Sequence, residues 1–284
     1  MRDYEVQQNE LIFQKFRKKN WKTYVFSFLK NLPYIFPFYK RAIYIYKKII
    51  NKLIGTEVFD RQFYEMENVF LYLSNKKKFI KETFPALNGQ INRRKIFDKI
   101  FSKKIISEIY ETGSYHGSTT EFLSKYKVPI QTCEISAPNY FIANDRLKKF
   151  KNIKVKNSDS YNFLKKNVSK NKKPIFFYLD AHSKDTPSPL LSELQIIFQN
   201  LENFIVVIDD FLVPHDRDYG YDSAFGSVLK VGYIKKFLNY KDTCYFFPKQ
   251  KSKDESGFKR GSIFISKGNK CKALCKSINE LIQY

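Results

Sequence analysis

The chain has 284 residues, 43% hydrophobic and 17% aromatic, which supplies a packed core and excludes global disorder. Its 51 Lys and Arg against 28 Asp and Glu give a net charge of +23, which favours an anionic partner: nucleic acid, an anionic lipid surface or a phosphorylated substrate. The four cysteines, Cys133, Cys244, Cys271 and Cys275, have neither a disulfide framework's spacing nor a zinc site's, so a reducing compartment is expected.

The same lysine-rich bias also follows from an AT-rich coding sequence, and no Arg-rich or glycine-spaced nucleic-acid motif accompanies it. Met1-Arg2-Asp3-Tyr4-Glu5 is polar and acidic, unlike a signal peptide. Lys30 and Pro33 interrupt the best apolar run, Tyr24 to Tyr39. The expected location is the cytoplasm, with peripheral membrane contact as a variant.

Residues 1–104 read as a basic, aromatic-rich helical region. Residues 1–55 hold twelve Lys/Arg and three Asp/Glu, interleaved with Phe, Tyr, Trp and Ile. Leu11, Ile12 and Phe16, then Ile43, Tyr46, Ile50 and Leu53, recur at helical spacing, with a turn at Leu32 to Pro37. Such a surface either lies on an anionic membrane or caps the main domain with its aromatic face. Residues 57–104 continue as helices, separated at Asn88-Gly89.

From residue 105 to 284 strands and helices alternate. Ile105 to Thr112 is a strand, followed by the turn Glu111-x-Gly113-Ser114-x-x-Gly117 and a helix that Ser118 and Glu121 are expected to open as a capping box. Strand 2, Pro129 to Ile135, carries Glu134, and strand 3, Ile153 to Asp159, ends in an acid. Strand 4, Pro174 to Asp180, is apolar throughout. Ser188-Pro189 opens the next helix, and strand 5 runs from Phe204 to Asp209-Asp210. A loop with Gly220-Tyr221-Asp222, a helix to Leu238, strands Cys244 to Phe247 and Ser262 to Ser266, and a basic helix from Lys270 to Ile282 complete the chain.

This alternation predicts a doubly wound, mostly parallel sheet, with ligands beyond the carboxyl ends of its strands. Those ends carry Glu111, Glu134, Asp159, Asp180, Asp209 and Asp210, and all three histidines, His116, His182 and His215, follow strand ends. Glu134, about twenty residues after the glycine turn, is placed to receive ribose hydroxyls. Glu111 before Gly113 would repel a pyrophosphate and suits a cationic ligand.

In this form the turn resembles motif I of class I S-adenosylmethionine-dependent methyltransferases. The resemblance covers residues 105–267 and implies a seven-stranded Rossmann-like sheet with the N-terminal region as a helical extension. It implies a cofactor site of Glu111, Gly113, Ser114, Gly117, Glu134 at the ribose, Asp159 at the adenine, and Asp180. Phe177 to Ser183, Pro189 to Leu194 and Val207 to Phe211 are similar to the macrocin O-methyltransferase and cephalosporin-hydroxylase-like group. In that group acids matching Asp180, Asp209 and Asp210 bind a divalent metal such as Mg²⁺. Three converging carboxylates need a proton or a cation between them.

The resemblance therefore implies O-methylation of a small-molecule or glycan hydroxyl, with Asp180 and His182 catalytic and His182 as general base. A supporting role for His182, and one structural acid beside one site acid at Asp209-Asp210, are the plainer readings. His215, Tyr221 and Asp222 are expected to line the acceptor pocket. The rival functions are a non-catalytic scaffold acting at a membrane through the basic region and a nucleic-acid methyltransferase. Against the latter, strand 4 ends in Asp-Ala-His and lacks the paired prolines of base-amino methylating enzymes.

Overall fold

The computed structural model describes residues 57–284 except 170–171, 183–186 and 225–226, so the basic aromatic segment of residues 1–55 lies outside the described residues. Two compact units divide the chain, 1–79 and 80–284. In the first, helix α1 (Glu57–Ser74) is followed by α2 (Lys76–Glu82), which crosses the boundary. Asn75 caps α2: its Oδ1 accepts the Lys78 N–H at 3.0 Å. No helix among the described residues is long and apolar enough to cross a membrane.

The second unit begins with a 3-10 turn (Ala86–Gly89) and α3 (Ile91–Ser102). Then come β1 (Glu108–Thr112), α4 (Ser118–Leu123), β2 (Ile130–Glu134), α5 (Ala137–Leu147), β3 (Ile153–Asn157) and α6 (Ser160–Asn167). The second half holds β4 (Ile175–Leu179), α7 (Leu190–Asn200), β5 (Phe204–Asp209), the ribbon β6 (Ser223–Ala224) and β7 (Ser227–Val228), and α8 (Val231–Leu238). Strands β8 (Thr243–Pro248) and β9 (Ser262–Lys267), helix α9 (Asn269–Lys276) and β10 (Leu281–Gln283) end it.

The main sheet has the order β10-β8-β9-β5-β4-β1-β2-β3. From β5 to β3 every pair is parallel, while β9 runs antiparallel between β5 and β8. The expected Rossmann-like doubly wound sheet is therefore present, with one strand more than seven. The extra strand corrects the expected final helix: α9 stops at Lys276, and Leu281 to Gln283 pair antiparallel with β8. Those last residues complete an open sheet edge, which a continued helix would leave unpaired.

The central strands are buried on both faces, and their period of two sorts the core into two layers. Phe177, Leu179, Val206 and Ile208 face α6, α7 and α8 through Phe163, Leu194, Ile197 and Phe237. Phe176, Tyr178, Ile205 and Val207 face α3, α4 and α9 through Ile96, Phe97, Leu123 and Leu274. The Phe97 ring lies 5.2 Å from that of Phe176 and 5.9 Å from that of Tyr178, edge on. Residues 80–104, grouped by sequence with the N-terminal region, thus pack on the sheet: α3 is one of its covering helices.

Because α4 and α7 lie on opposite faces, the winding reverses between β1 and β4. A crevice opens beyond the carboxyl ends of strands at such a switch point.

Candidate functional site at the carboxyl ends of the strands

The glycine turn sits at this crevice. Gly113 adopts φ +82°, and a Cβ there would fall 2.3 Å from the backbone oxygen of Asp180, so only glycine lets the turn lie against the end of β4. Gly117, at φ +78°, packs where a Cβ would meet Leu147 at 2.9 Å. The turn's amides are already committed. Those of Gly113 and Ser114 donate to Cys133 O at 3.0 Å, that of Gly117 to Ser114 O at 2.7 Å, and that of Tyr115 to Glu134 Oε2 at 2.8 Å. A pyrophosphate cradle needs such amides free, so the turn is not built for one.

The helix after the turn starts without the expected capping box. Gly117 is the N-cap with no side-chain bond. Ser118 Oγ instead accepts from Arg146 Nη1 at 3.0 Å, and Glu121 pairs with Arg146 Nε at 2.7 Å and Lys149 at 2.9 Å. Two cations from α5 and the following loop outcompete the local reciprocal bond.

Several expected cofactor residues are already engaged. Glu111 is buried below the turn and accepts from Thr120 Oγ1 and, at 2.6 Å, from Thr132 Oγ1. Burial pushes its carboxyl up to about 7 and outweighs both hydroxyls. Glu111 is therefore a keystone of the turn, not a surface facing a cationic ligand. Glu134 holds the Tyr115 N–H on one oxygen and the Ser136 N–H at 2.8 Å on the other. Asp159 caps α6, its Oδ1 accepting the Asn162 N–H at 2.9 Å.

The acids at β4 and β5 separate into two roles. Asp209 ends β5 on the face that carries Ile205 and Val207, directly under α3. There it forms a buried ion pair with Arg93 and also accepts from Tyr178 Oη, from Asn88 Nδ2 at 3.0 Å and from the Asp210 N–H at 2.8 Å. Arg93 donates its other amino group to the carbonyls of Arg260 and Gly261. Four donors, one of them the Arg93 cation, saturate Asp209, which removes it from the expected metal ligands.

Asp210 turns the other way, its backbone left-handed at φ 52°. Its Oδ1 accepts from Arg260 Nε at 2.5 Å, and Arg260 also pairs with Asp222. Its Oδ2 lies 3.5 Å from His182 Nε2, which lies 3.8 Å from Asp180 Oδ1. Asp180, His182 and Asp210 thus form the one cluster of potential metal ligands among the described residues.

Electrostatics tie the three together. Burial works against a charged Asp210, but His182 and Arg260 outweigh it and bring its carboxyl down to about 2. Burial, and then the neighbouring carboxylates of Asp209, Asp210 and Glu111, hold Asp180 well above the ordinary range. Asp180 keeps 33% of its side chain exposed, so solvent screens part of that effect. Burial opposes an imidazolium at His182, yet Asp210, Asp209 and Asp222 raise it overall.

His182 Nε2 is buried without a hydrogen-bond partner, since 3.5 Å is too long for one. The Ser114 hydroxyl is likewise buried and unpartnered, and the buried hydroxyls of Thr112 and Ser160 stand against the Glu193 carboxyl, whose charged form they favour. They come from the end of β1, the glycine turn, the start of α6 and α7, around the same crevice. Buried polar atoms are costly unless something bonds them, so this interior is shaped for polar ligand atoms or water.

Two carboxylates and an imidazole at these spacings fit a divalent cation. Without Asp209 the donor set is less hard than three carboxylates, and favours Mn²⁺ or Zn²⁺ over the expected Mg²⁺.

The remaining expectations divide. Asp222 joins the acids through Arg260, and Tyr221 stands exposed beside it on the same loop. His215 does not reach them: Nε2 donates to Pro248 O at 3.1 Å, and Nδ1 and the ring engage Tyr284 at the edge formed by β8 and β10. His116 is buried between Thr83 and Asn139, its ring nitrogens 3.1 and 3.2 Å from their oxygens. Of the three histidines only His182 meets the acids.

Sequence reading missed Arg93, Arg260, Asn88 and Tyr178. One signal was present. Arginine is scarce here, nine of 51 basic residues, and arginine is the side chain preferred for buried, multidentate ion pairs.

No family model and no curated protein sequence matches the chain. Solved structures similar to it in fold are S-adenosylmethionine-dependent methyltransferases. A Klebsiella pneumoniae protein provisionally described as an O-methyltransferase is 16% identical, covering 79% of this chain and 96% of its own, at a TM-score of 0.47. An O-methyltransferase from Bacillus cereus in complex with SAH is 14% identical, covering 79% and 97%, at 0.46. A SAM-dependent methyltransferase from Aquifex aeolicus is 14% identical, covering 64% and 92%, at 0.45.

Proposed function

We propose that the chain binds S-adenosylmethionine in the crevice between β1 and β4 and transfers its methyl group to a hydroxyl of a small-molecule or sugar acceptor. The observation that carries this reading is the pairing of a glycine turn whose amides are spent with an acid cluster beside it. The crevice repels a pyrophosphate and attracts a ligand bearing sulfonium and ammonium charges.

In the reaction the S–CH₃ bond breaks as an O–CH₃ bond forms, the cofactor leaves as a neutral thioether, and the hydroxyl proton passes to solvent water. Gly113 lets the turn lie against the end of β4, and Ser114 offers the cofactor an unpartnered hydroxyl. Asp180, His182 and Asp210 would hold a divalent cation. Bound there, the cation supplies positive charge that makes a coordinated hydroxyl more acidic. Arg260 keeps Asp210 ionised and aimed, and Arg93 keeps Asp209 from repelling it.

Calorimetry of the whole chain with S-adenosylmethionine and with NAD tests the reading. Micromolar binding of the first alone is expected; preferential binding of the dinucleotide would overturn it.

A further inference from the structure

Two segments far apart in the chain meet on an apolar surface. Residues 84–91 and 254–260 lie side by side. The Phe258 N–H donates to Asn88 O at 2.9 Å, the Ile91 N–H to Ser256 Oγ at 2.8 Å, and Ser256 Oγ to Gly89 O at 2.8 Å. A Cβ at Gly257 would fall 2.1 Å from Asn88 O, so only glycine admits this approach. The result is a fixed platform carrying Phe84, Pro85, Ile91 and Phe258.

All four face solvent. Phe84 and Ile91 are each 53% exposed and Phe258 is 54% exposed, although the two phenylalanine rings lie only 5.4 Å apart. Tyr115, half-buried in the glycine turn, closes one side with its ring 6.1 Å from that of Phe84. Single exposed apolar residues are ordinary. A contiguous group held in place by its own backbone bonds marks an interaction surface.

The surroundings are basic. Apart from Arg93 and Arg260, whose charges Asp209 and Asp210 take up, residues 81–95 and 251–260 carry six Lys and Arg against three Asp and Glu. Lys95 follows Ile91 by one turn of α3, and Lys259 adjoins Phe258, so cations stand beside the apolar side chains.

An apolar centre with a basic surround defines its partner by chemistry. A second copy of this chain is disfavoured, because each carries +23 and presents the same basic surround. Single-stranded nucleic acid stacks its bases on open ring faces. Here Phe84 is flanked by rings turned 44° and 72° to it, and Pro85 and Ile91 have no π face. An anionic bilayer matches both parts: its phosphates meet the lysines while phenylalanine and isoleucine enter the acyl boundary. We propose that Phe84, Ile91 and Phe258 form a docking surface that seats the protein on an anionic phospholipid membrane.

The full chain with Trp21→Phe and Phe258→Trp carries its single tryptophan on this surface. Its emission is followed as vesicles are added, either of phosphatidylcholine alone or of equal parts phosphatidylcholine and phosphatidylglycerol. A blue shift, and quenching by lipid brominated in the acyl chain, are expected with the anionic vesicles only, and high salt should weaken both. In the wild-type chain, Phe84→Ser with Ile91→Ser should lower co-sedimentation with anionic vesicles about tenfold. Each of these side chains is half exposed, so the variants fold, which an unchanged far-ultraviolet dichroism checks.

Vesicle binding that leaves the tryptophan at position 258 unchanged would overturn the surface and give the membrane contact to another segment. Absence of vesicle binding, or equal binding to neutral vesicles, would overturn it too. So would a tryptophan that responds to oligouridine and not to vesicles, or a wild-type dimer, blind to vesicles, that Phe84→Ser with Ile91→Ser dissociates.

Discussion

Arg93 and Asp209 form a fully buried ion pair between the first helix on the sheet and the last residue of β5. Its partners extend to Tyr178, Asn88 and the carbonyls of residues 260 and 261. One interaction thus fastens α3, β4, β5 and the loop before β9 under the acid site. Removing one member strands a buried charge.

Arg93→Leu should therefore cost about 3–5 kcal/mol of stability, read as a fall in urea midpoint with unchanged slope. Arg93→Leu with Asp209→Asn should recover part of that loss, because no bare charge is left. If the single variant unfolds at the wild-type midpoint, the pair has no structural weight.

The same pair predicts which acids bind a cation. Asp180→Asn, His182→Ala and Asp210→Asn should each lower Mn²⁺ affinity at least tenfold in calorimetry. Asp209→Asn should leave it within about threefold, since four donors already occupy that carboxylate. Mn²⁺ should bind wild type more tightly than Mg²⁺. Loss of binding only in Asp209→Asn would restore the all-carboxylate site.

Glu111 predicts a pH dependence. Its folded value near 7 lies above the ordinary 4.5, so between those limits the folded chain keeps a proton that the unfolded chain has released. Stability is then highest below about 4.5, falls as pH rises through 7 and levels off above it, a change of about 3 kcal/mol. Glu111→Gln, which cannot ionise, should lack this slope, so the variant gains on wild type from pH 5 to 8. Parallel melting curves for the two across that range would place the carboxyl at an ordinary value.

Gly113→Ala places a methyl group 2.3 Å from the Asp180 carbonyl in a left-handed backbone. The turn must lift off β4, at a cost of at least 1–3 kcal/mol. S-adenosylmethionine binding should be lost while the far-ultraviolet dichroism of the sheet persists. Undiminished cofactor affinity in this variant would move the cofactor elsewhere.

The strands and the ligand edge at their carboxyl ends were legible in the sequence because apolar strands and acids at their ends are local patterns. The partition of the acids was not. Asp209 and Asp210 are adjacent, and only the pleat of β5 and the left-handed turn at Asp210 send one beneath α3 and the other to His182. Glu111 was misread for a similar reason: its spacing to Gly113 is visible, but the hydroxyls of Thr120 and Thr132 that bury it come from a helix and a neighbouring strand. Arg93 and Arg260 are 167 residues apart and look like two more charges on a basic chain. The extra strand β10 escaped because three residues carry too little periodicity to oppose a helical reading.

The glycine turn closes its own hydrogen bonds before any ligand arrives. Its conformational entropy is spent during folding, and association has little left to order. Cofactor binding should accordingly be rapid, with a heat-capacity change set by the apolar area of the ligand alone. An amide-exchange experiment should find Gly113, Ser114, Tyr115 and Gly117 equally protected with and without S-adenosylmethionine, so that the turn acts as a preformed mould.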